Sequence, residues 1–177
     1  DILNTFTLKS NRQIKINFNG GDLSSDAGLL LIKEFAAKIG FAKLIKKIFK
    51  TDDKSIRFHK DNENLMQMLY QIISAYFEDD CADELTSDPV FHAILEKKSL
   101  ASQPTLSRFF NRMNEDTLIQ FDDIDKSLRD IIYSIKRPEH MLLDLDSTLF
   151  GTYGKQEGEG FNFHYQAHGY HPLLCHD

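Results

Sequence analysis

Asp144 and Asp146 are the residues of this chain best suited to chemistry. They close the apolar run Met141-Leu142-Leu143-Asp144-Leu145-Asp146, which reads as a strand. Residues two apart in a strand point to one face, so both carboxylates share a face while Leu143 and Leu145 take the other. Two carboxylates on one face of an otherwise apolar strand are costly unless a cation or a base satisfies them. A hard divalent ion such as Mg²⁺ does so through oxygen ligands. The plain reading stays open beside it, in which the pair sits at a strand end and caps the next turn through Ser147 and Thr148. Other chemistries are poorly served. The glycine-rich stretch Gly151–Gly158 fails as a phosphate loop, because Lys155 is followed by Gln156 rather than Ser or Thr. His164, His168 and His171, with Cys175 and His176 nearby, have spacing zinc could use, yet no second cluster completes a four-ligand set. No G-x-S-x-G elbow is present for a serine hydrolase.

The second group of candidates faces polyanions. In Ser102–Met113, helical spacing puts Leu106, Phe109, Phe110 and Met113 on a buried stripe, leaving Thr105, Ser107, Arg108, Asn111 and Arg112 outward. Thr, Asn and Arg are types that contact phosphates and base edges when a helix enters the major groove. With the preceding helix and turn, the segment resembles a helix-turn-helix; an ordinary amphipathic helix is the bland alternative. Lys43, Lys46, Lys47 and Lys50 form one face of an earlier helix and suit phosphate neutralisation. The net charge of −6 argues against a uniformly basic nucleic-acid binder. The charge is segregated, however. From Lys33 to Lys60 there are nine Lys/Arg against three Asp/Glu, and from Asp61 to Glu96 nine Asp/Glu and no Lys or Arg.

The elements that must position these residues follow from periodicity. Phe6, Leu8, Ile14, Ile16 and Phe18 alternate around Ser10–Arg12 and predict a β-hairpin over 1–22, closed by a turn at 19–22. Residues 23–137 predict about six helices. The first is capped by Ser24, Ser25 or Asp26, buries Leu29, Ile32, Phe35, Ala36 and Ile39, and ends at Gly40. Phe41, Leu44, Ile45, Ile48 and Phe49 mark the second; Leu65, Met68, Leu69, Ile72, Ile73 and Tyr76 a longer third. Pro89 and Pro104 open two short ones, and Ile124, Leu128, Ile131, Ile132 and Ile135 mark the last. At Arg137-Pro138 the pattern changes, and 138–177 predicts strands at 141–146, near 163–169 and at 172–175. Helices and strands thus segregate along the chain, an α+β class. At 177 residues, 41% hydrophobic and 27% charged, the composition is globular. No apolar run reaches the roughly 18 residues of a membrane span. The start lacks the basic and apolar regions of a signal peptide, and without an initiator Met the chain is expected to be trimmed. Cys81 and Cys175 read as free thiols of a soluble, cytoplasmic protein.

Several of these runs together resemble one family. Leu143–Thr148, then Tyr153-Gly154-Lys155-Gln156-Glu157-Gly158, then Tyr165-Gln166-Ala167-His168-Gly169-Tyr170-His171-Pro172-Leu173-Leu174 resemble insertion-sequence transposases with a group-1 DDE domain. Ala101–Phe109 and Leu23–Leu31 fit the same family. The resemblance implies a prokaryotic enzyme that cuts and joins DNA at transposon ends. It implies a ribonuclease H-like fold presenting two aspartates and a glutamate to two Mg²⁺ ions about 4 Å apart. Carried over by its position before Ser147-Thr148, the first catalytic aspartate and metal ligand is Asp146, with Asp144 the second choice. The second aspartate and the glutamate have no matching motif here. The expectation is therefore the amino-terminal portion of such an enzyme: a hairpin (1–22), a helical DNA-binding and assembly domain (23–137), and the first strands of a truncated catalytic domain (138–177). Alone it is expected to be inactive and not to bind Mg²⁺ stably, with DNA ends and a second copy of itself as partners. The rival expectation is a non-catalytic helical module that mediates self-association.

Overall fold

The computed structural model describes residues 5–20, 23–78 and 80–176. Of the turn expected at 19–22, Gly21 and Asp22 lie outside the described residues, as do Asp1–Asn4, Asp79 and Asp177. The chain forms two compact units, 1–131 and 132–177.

The first unit begins with a hairpin of β1 (Thr5–Thr7) and β2 (Lys15–Asn17), antiparallel with Phe6 opposite Ile16. Leu8 and Ile16 are buried, whereas Phe6 and Phe18 are exposed. The hairpin tip is tied to the first helix by Glu34, whose carboxylate accepts from Lys9 N, Ser10 N and Ser10 Oγ at 3.1, 3.0 and 2.7 Å. Seven helices follow among the described residues: α1 (Leu29–Lys38), α2 (Phe41–Ile48), α3 (Asp61–Ile73), α4 (Cys81–Leu85), α5 (Pro89–Leu95), α6 (Gln103–Phe110) and α7 (Glu115–Ile135). The junction between the two units falls within α7.

Local chemistry accounts for the helix ends. Gly40 stands between α1 and α2 at φ +74°, a left-handed conformation open to glycine without a Cβ penalty. Asp88 caps α5 by accepting from Val90 N and Phe91 N at 2.7 and 2.9 Å, with Pro89 as first helical residue. α1 differs from expectation: Gly28 precedes it without a side-chain cap. Ser24 instead accepts from Asp26 N, and Asp26 accepts from the Tyr76 hydroxyl.

Burial also departs from the expected stripes. In α1 Leu29, Leu30 and Ala36 are buried while Ile32 and Phe35 are exposed. In α3 Ile72 and Ile73 are exposed, and Asn64, Gln67 and Gln71 take buried places. Gln67 explains itself: its amide donates to Ala101 O and accepts from Ala101 N, both at 2.8 Å. A loop crosses the helix there, and the amide satisfies both of its backbone groups. α4 was not expected at all; its five residues are too few to display a helical period.

One core cluster joins the hairpin to α1, α3 and α5 through Leu8, Leu30, Tyr70 and Phe91. A second joins α2, α3, α6 and α7 through Ile45, Phe49, Leu65, Phe109 and Ile124. Phe49 packs on Phe109 edge-on, with ring centroids 5.8 Å apart.

The second unit holds the remaining strands: β3 (Asp144–Ser147), β4 (Phe150–Gly151), β5 (Gly160–Asn162), β6 (Ala167–Tyr170) and β7 (Leu173–His176). β3 pairs with β7, and β4-β6-β5 form a second antiparallel sheet. The register of β3 on β7 continues unchanged into β4 on β6. The ladder is one ribbon, broken where Pro172 has no N–H to donate; its carbonyl accepts from Thr148 N at 3.3 Å. Two expected boundaries are corrected. Met141–Leu143 precede β3 without joining the ladder, and 163–166 are a turn between β5 and β6 rather than strand. Gln166 in that turn has φ +52°. At Gly169 a Cβ would collide with the Phe150 carbonyl, which is why glycine stands there.

Candidate nucleic-acid interface and carboxylate pair

Asp61, the first residue of α3, organises the basic surface of the helical unit. Its Oδ2 accepts from Thr51 N and Thr51 Oγ1 at 3.2 and 2.6 Å. Its Oδ1 accepts from Arg57 Nη1 and Arg112 Nη2, both at 3.0 Å. Burial pushes the Asp61 carboxyl pKa up, but the hydrogen bonds from Thr51 and Arg112 outweigh it and hold it below the usual range. One carboxylate thus joins the end of α2, the loop before α3 and the end of α6.

The end of α2 is held a second way. Gln120 of α7 accepts from Lys50 N at 2.8 Å and donates to Lys50 O at 3.1 Å. The apolar face of α2 is packed into the core, so Lys43, Lys46, Lys47 and Lys50 are all exposed.

α6 is anchored by Leu106 and Phe109, both fully buried, each contributing about 1.5–3 kcal/mol of apolar burial. Phe110, expected on that stripe, is exposed. Asp83 of α4 accepts from Gln103 N at 2.9 Å and so holds the start of the helix. Arg108 and Asn111 are exposed, and Thr105 is half-buried. Arg108 makes no ion pair among the described residues and reaches only the Thr105 hydroxyl, at 3.5 Å. Arg112 behaves differently from the expected outward residue. Besides Asp61, it donates to Arg108 O at 2.9 Å and lies over the Phe109 ring at 5.6 Å. Its side chain is 17% exposed, and it acts here as a fastener of the helix end. The helix before α6 is joined to it by a loop over 96–102, longer than the roughly three-residue turn of a helix-turn-helix.

Lys46 and Lys50 from one basic group, and Thr105, Arg108 and Arg112 from the other, line adjoining grooves; Lys43, Lys47 and Asn111 line neither. One, about 430 Å³, is walled by Lys46, Lys50, Thr51, Ser55, Arg57 and Lys60. The other, about 370 Å³, is walled by Arg57, Phe58, His59, Thr105, Arg108 and Arg112. Arg57 and Asp53 belong to both. Arg57, Phe58 and Lys60 were not singled out from the sequence. The available signal was the run Lys54-Ser55-Ile56-Arg57-Phe58-His59-Lys60, where cations alternate with apolar and aromatic residues. Asp53 offsets part of this charge: hydrogen bonds from Ser55, then Arg57, hold its carboxyl down at about 2.

In the strand unit, Asp144 and Asp146 stand two apart on β3, both exposed. The register puts His176 opposite Asp144 and Leu174 opposite Asp146 on that face. Two carboxylates have the hard oxygen chemistry Mg²⁺ takes, and such an ion commonly uses one or two of them with water and substrate phosphate. Among the described residues no group of three or more His, Cys, Asp or Glu is arranged to hold a metal. β3 therefore offers part of a ligand set. The glycine-rich residues 152–159 form the loop from β4 to β5, closed by Thr152 on Glu159 and by the Tyr170 hydroxyl on Glu157 O at 2.7 Å. No helix among the described residues is long and apolar enough to cross a membrane.

Residues 6–177 match a family model described as transposase DDE domain, group 1. No curated protein and no solved structure matches the chain.

Proposed function

The chain belongs to the transposase DDE domain family, group 1, and from that premise we propose that it serves DNA transposition by binding transposon ends and carrying the first catalytic carboxylate. The observation that carries the reading is the convergence of Lys46, Lys50, Lys60 and Arg108 on two adjoining grooves of an otherwise acidic chain. Lysines without fixed geometry neutralise phosphates, whereas the guanidinium fork of Arg108, beside Thr105 and Asn111, suits base edges. In this reading 23–137 binds ends and assembles with a second copy, and 138–177 opens a ribonuclease H-like catalytic domain.

Asp146 holds a divalent ion there, with Asp144 beside it on the same strand face. A divalent ion held there would supply the Lewis acidity that activates water, and then a 3′-hydroxyl, toward phosphodiesters. The further acidic ligands come from segments other than these strands.

The test is fluorescence anisotropy of the chain with duplexes copied from the ends of the element that encodes it, against scrambled duplexes, over a salt series. Three phosphate-facing lysines, Lys46, Lys50 and Lys60, predict a slope of log K on log salt of about −2.7, with preference for the end sequence. Equal, salt-insensitive binding to both duplexes refutes the reading. Self-association on a sizing column without DNA binding would favour the interaction-module alternative.

A further inference from the structure

The loop between α2 and α3 is ordered around one inward-pointing residue. Arg57 lies between Asp61, at 3.0 Å, and Asp53, with which it forms an ion pair and to whose carbonyl it donates at 3.3 Å. Ser55 N donates to Asp53 Oδ1 at 2.9 Å and tightens the turn. With Arg57 turned in, its sequence neighbours are left outside: Ile56 is fully exposed and Phe58 is 79% exposed. A single exposed apolar side chain is unremarkable on a protein surface. Phe58, however, walls the groove whose other residues include Thr105 and Arg108 of α6. His59 meets its ring edge-on with centroids 4.8 Å apart, and the Lys97 ammonium stands 6.0 Å from the ring centroid. The groove therefore combines an aromatic surface, a hydroxyl and a guanidinium with no ion pair among the described residues, and it opens at Arg57 onto the lysine-lined groove.

We propose that this groove takes one unpaired nucleobase of a DNA end, stacked on Phe58, with Arg108 and Thr105 at its edge. Stacking on aromatic side chains and Arg planes is how single-stranded nucleic acid is held without duplex readout. The two-donor fork of Arg108 fits a base edge with two acceptors, which favours guanine. Flanking phosphates run along Lys46, Lys50 and Lys60. The charge of the groove selects this occupant over an uncharged apolar peptide, which would bury the Arg108 guanidinium with no anion or acceptor edge to meet it. The inference rests on the DNA-binding reading above and adds the form of DNA and the part of it that is bound.

The experiment compares two short duplexes of identical sequence, one blunt and one carrying a single 2-aminopurine or guanine overhang. The expected result is overhang binding about tenfold tighter than blunt, with a change in 2-aminopurine emission on binding. Phe58→Ala brings the two duplexes to equal affinity and removes the emission change; Phe58→Tyr restores both. Circular dichroism and thermal melting verify that the variants fold, which the exposure of Phe58 favours. Equal affinity of the unaltered chain for both duplexes, or an overhang preference that survives Phe58→Ala, overturns the proposal and leaves end binding standing. Absence of binding to every duplex overturns both.

Discussion

Replacing Asp61 by Asn tests the junction on which both grooves depend. The carboxylate accepts from four donors, two on Thr51 and one each on Arg57 and Arg112. Its side chain is 12% exposed and those of Arg57 and Arg112 are 21% and 17% exposed, so solvent screens the network only in part. Asparagine keeps one acceptor oxygen; turned toward Thr51, it presents an NH₂ group to two guanidinium donors. A hydrogen bond to a charged group contributes about 1.5–3 kcal/mol. Arg57 retains Asp53, so its loss is partial, whereas Arg112 retains the Arg108 carbonyl and the Phe109 ring but no carboxylate among the described residues. The expected destabilisation is about 2–4 kcal/mol, somewhat below the roughly 3–5 kcal/mol for breaking one partner of a fully buried pair, as the partial exposure of this one requires. With a urea m-value of about 1.5 kcal/mol/M, the midpoint followed by far-UV circular dichroism falls by about 1.3–2.7 M. The pH dependence has a definite sign. Burial raises the Asp61 pKa but Thr51 and Arg112 outweigh it, so the folded value lies below the unfolded one. Such a group contributes stability above its unfolded pKa of about 3.9 and loses it as pH falls through the folded value. The gap between parent and variant is therefore full at neutral pH and closes below about pH 4. A gap under about 1 kcal/mol at neutral pH, or one that stays constant into acid while both proteins remain folded, refutes the reasoning.

Further outcomes concern the grooves, the carboxylate strand and the β4–β6 pairing. Replacing Lys46 and Lys50 together by Ala weakens binding to all DNA sequences alike and lowers the salt slope by about 1–2 units, read by anisotropy over a salt series. Arg108→Ala loses about 1–3 kcal/mol on the end sequence and much less on random DNA; unchanged specific binding would make α6 purely structural. Incubated alone with Mg²⁺ or Mn²⁺, this chain cleaves no end-containing DNA above background, and in an active enzyme Asp146→Asn stops cleavage while end binding persists in a gel shift. Gly169→Ala forces a Cβ onto the Phe150 carbonyl and opens the β4–β6 pairing, seen as faster amide exchange in β6 with the helical unit unaffected.

The sequence alone determined the elements whose signals are local. The apolar and basic faces of α2, the Asp88-Pro89 start of α5 and the left-handed Gly40 follow from side-chain period and backbone sterics within a few residues. The common face of Asp144 and Asp146 is likewise local, since a strand alternates whatever it pairs with. The family resemblance was also legible, because it lies in runs of adjacent residues. What the period does not carry is depth and partner. Ile32, Phe35, Ile72 and Ile73 obey the helical spacing yet stay exposed, because no element among the described residues covers that part of the face. Gln67 breaks the pattern yet is buried, because the backbone of Ala101 needs a donor and an acceptor at that place. Arg112 reads as outward from its own helix, and only Asp61, far away in sequence, draws it inward. The start of β3 at Asp144 waits on β7, since a ladder needs its second strand. Lys46, Phe58 and Arg108 come to adjoining grooves only through packing of α2, α3 and α6, a long-range choice made by the core and by one carboxylate.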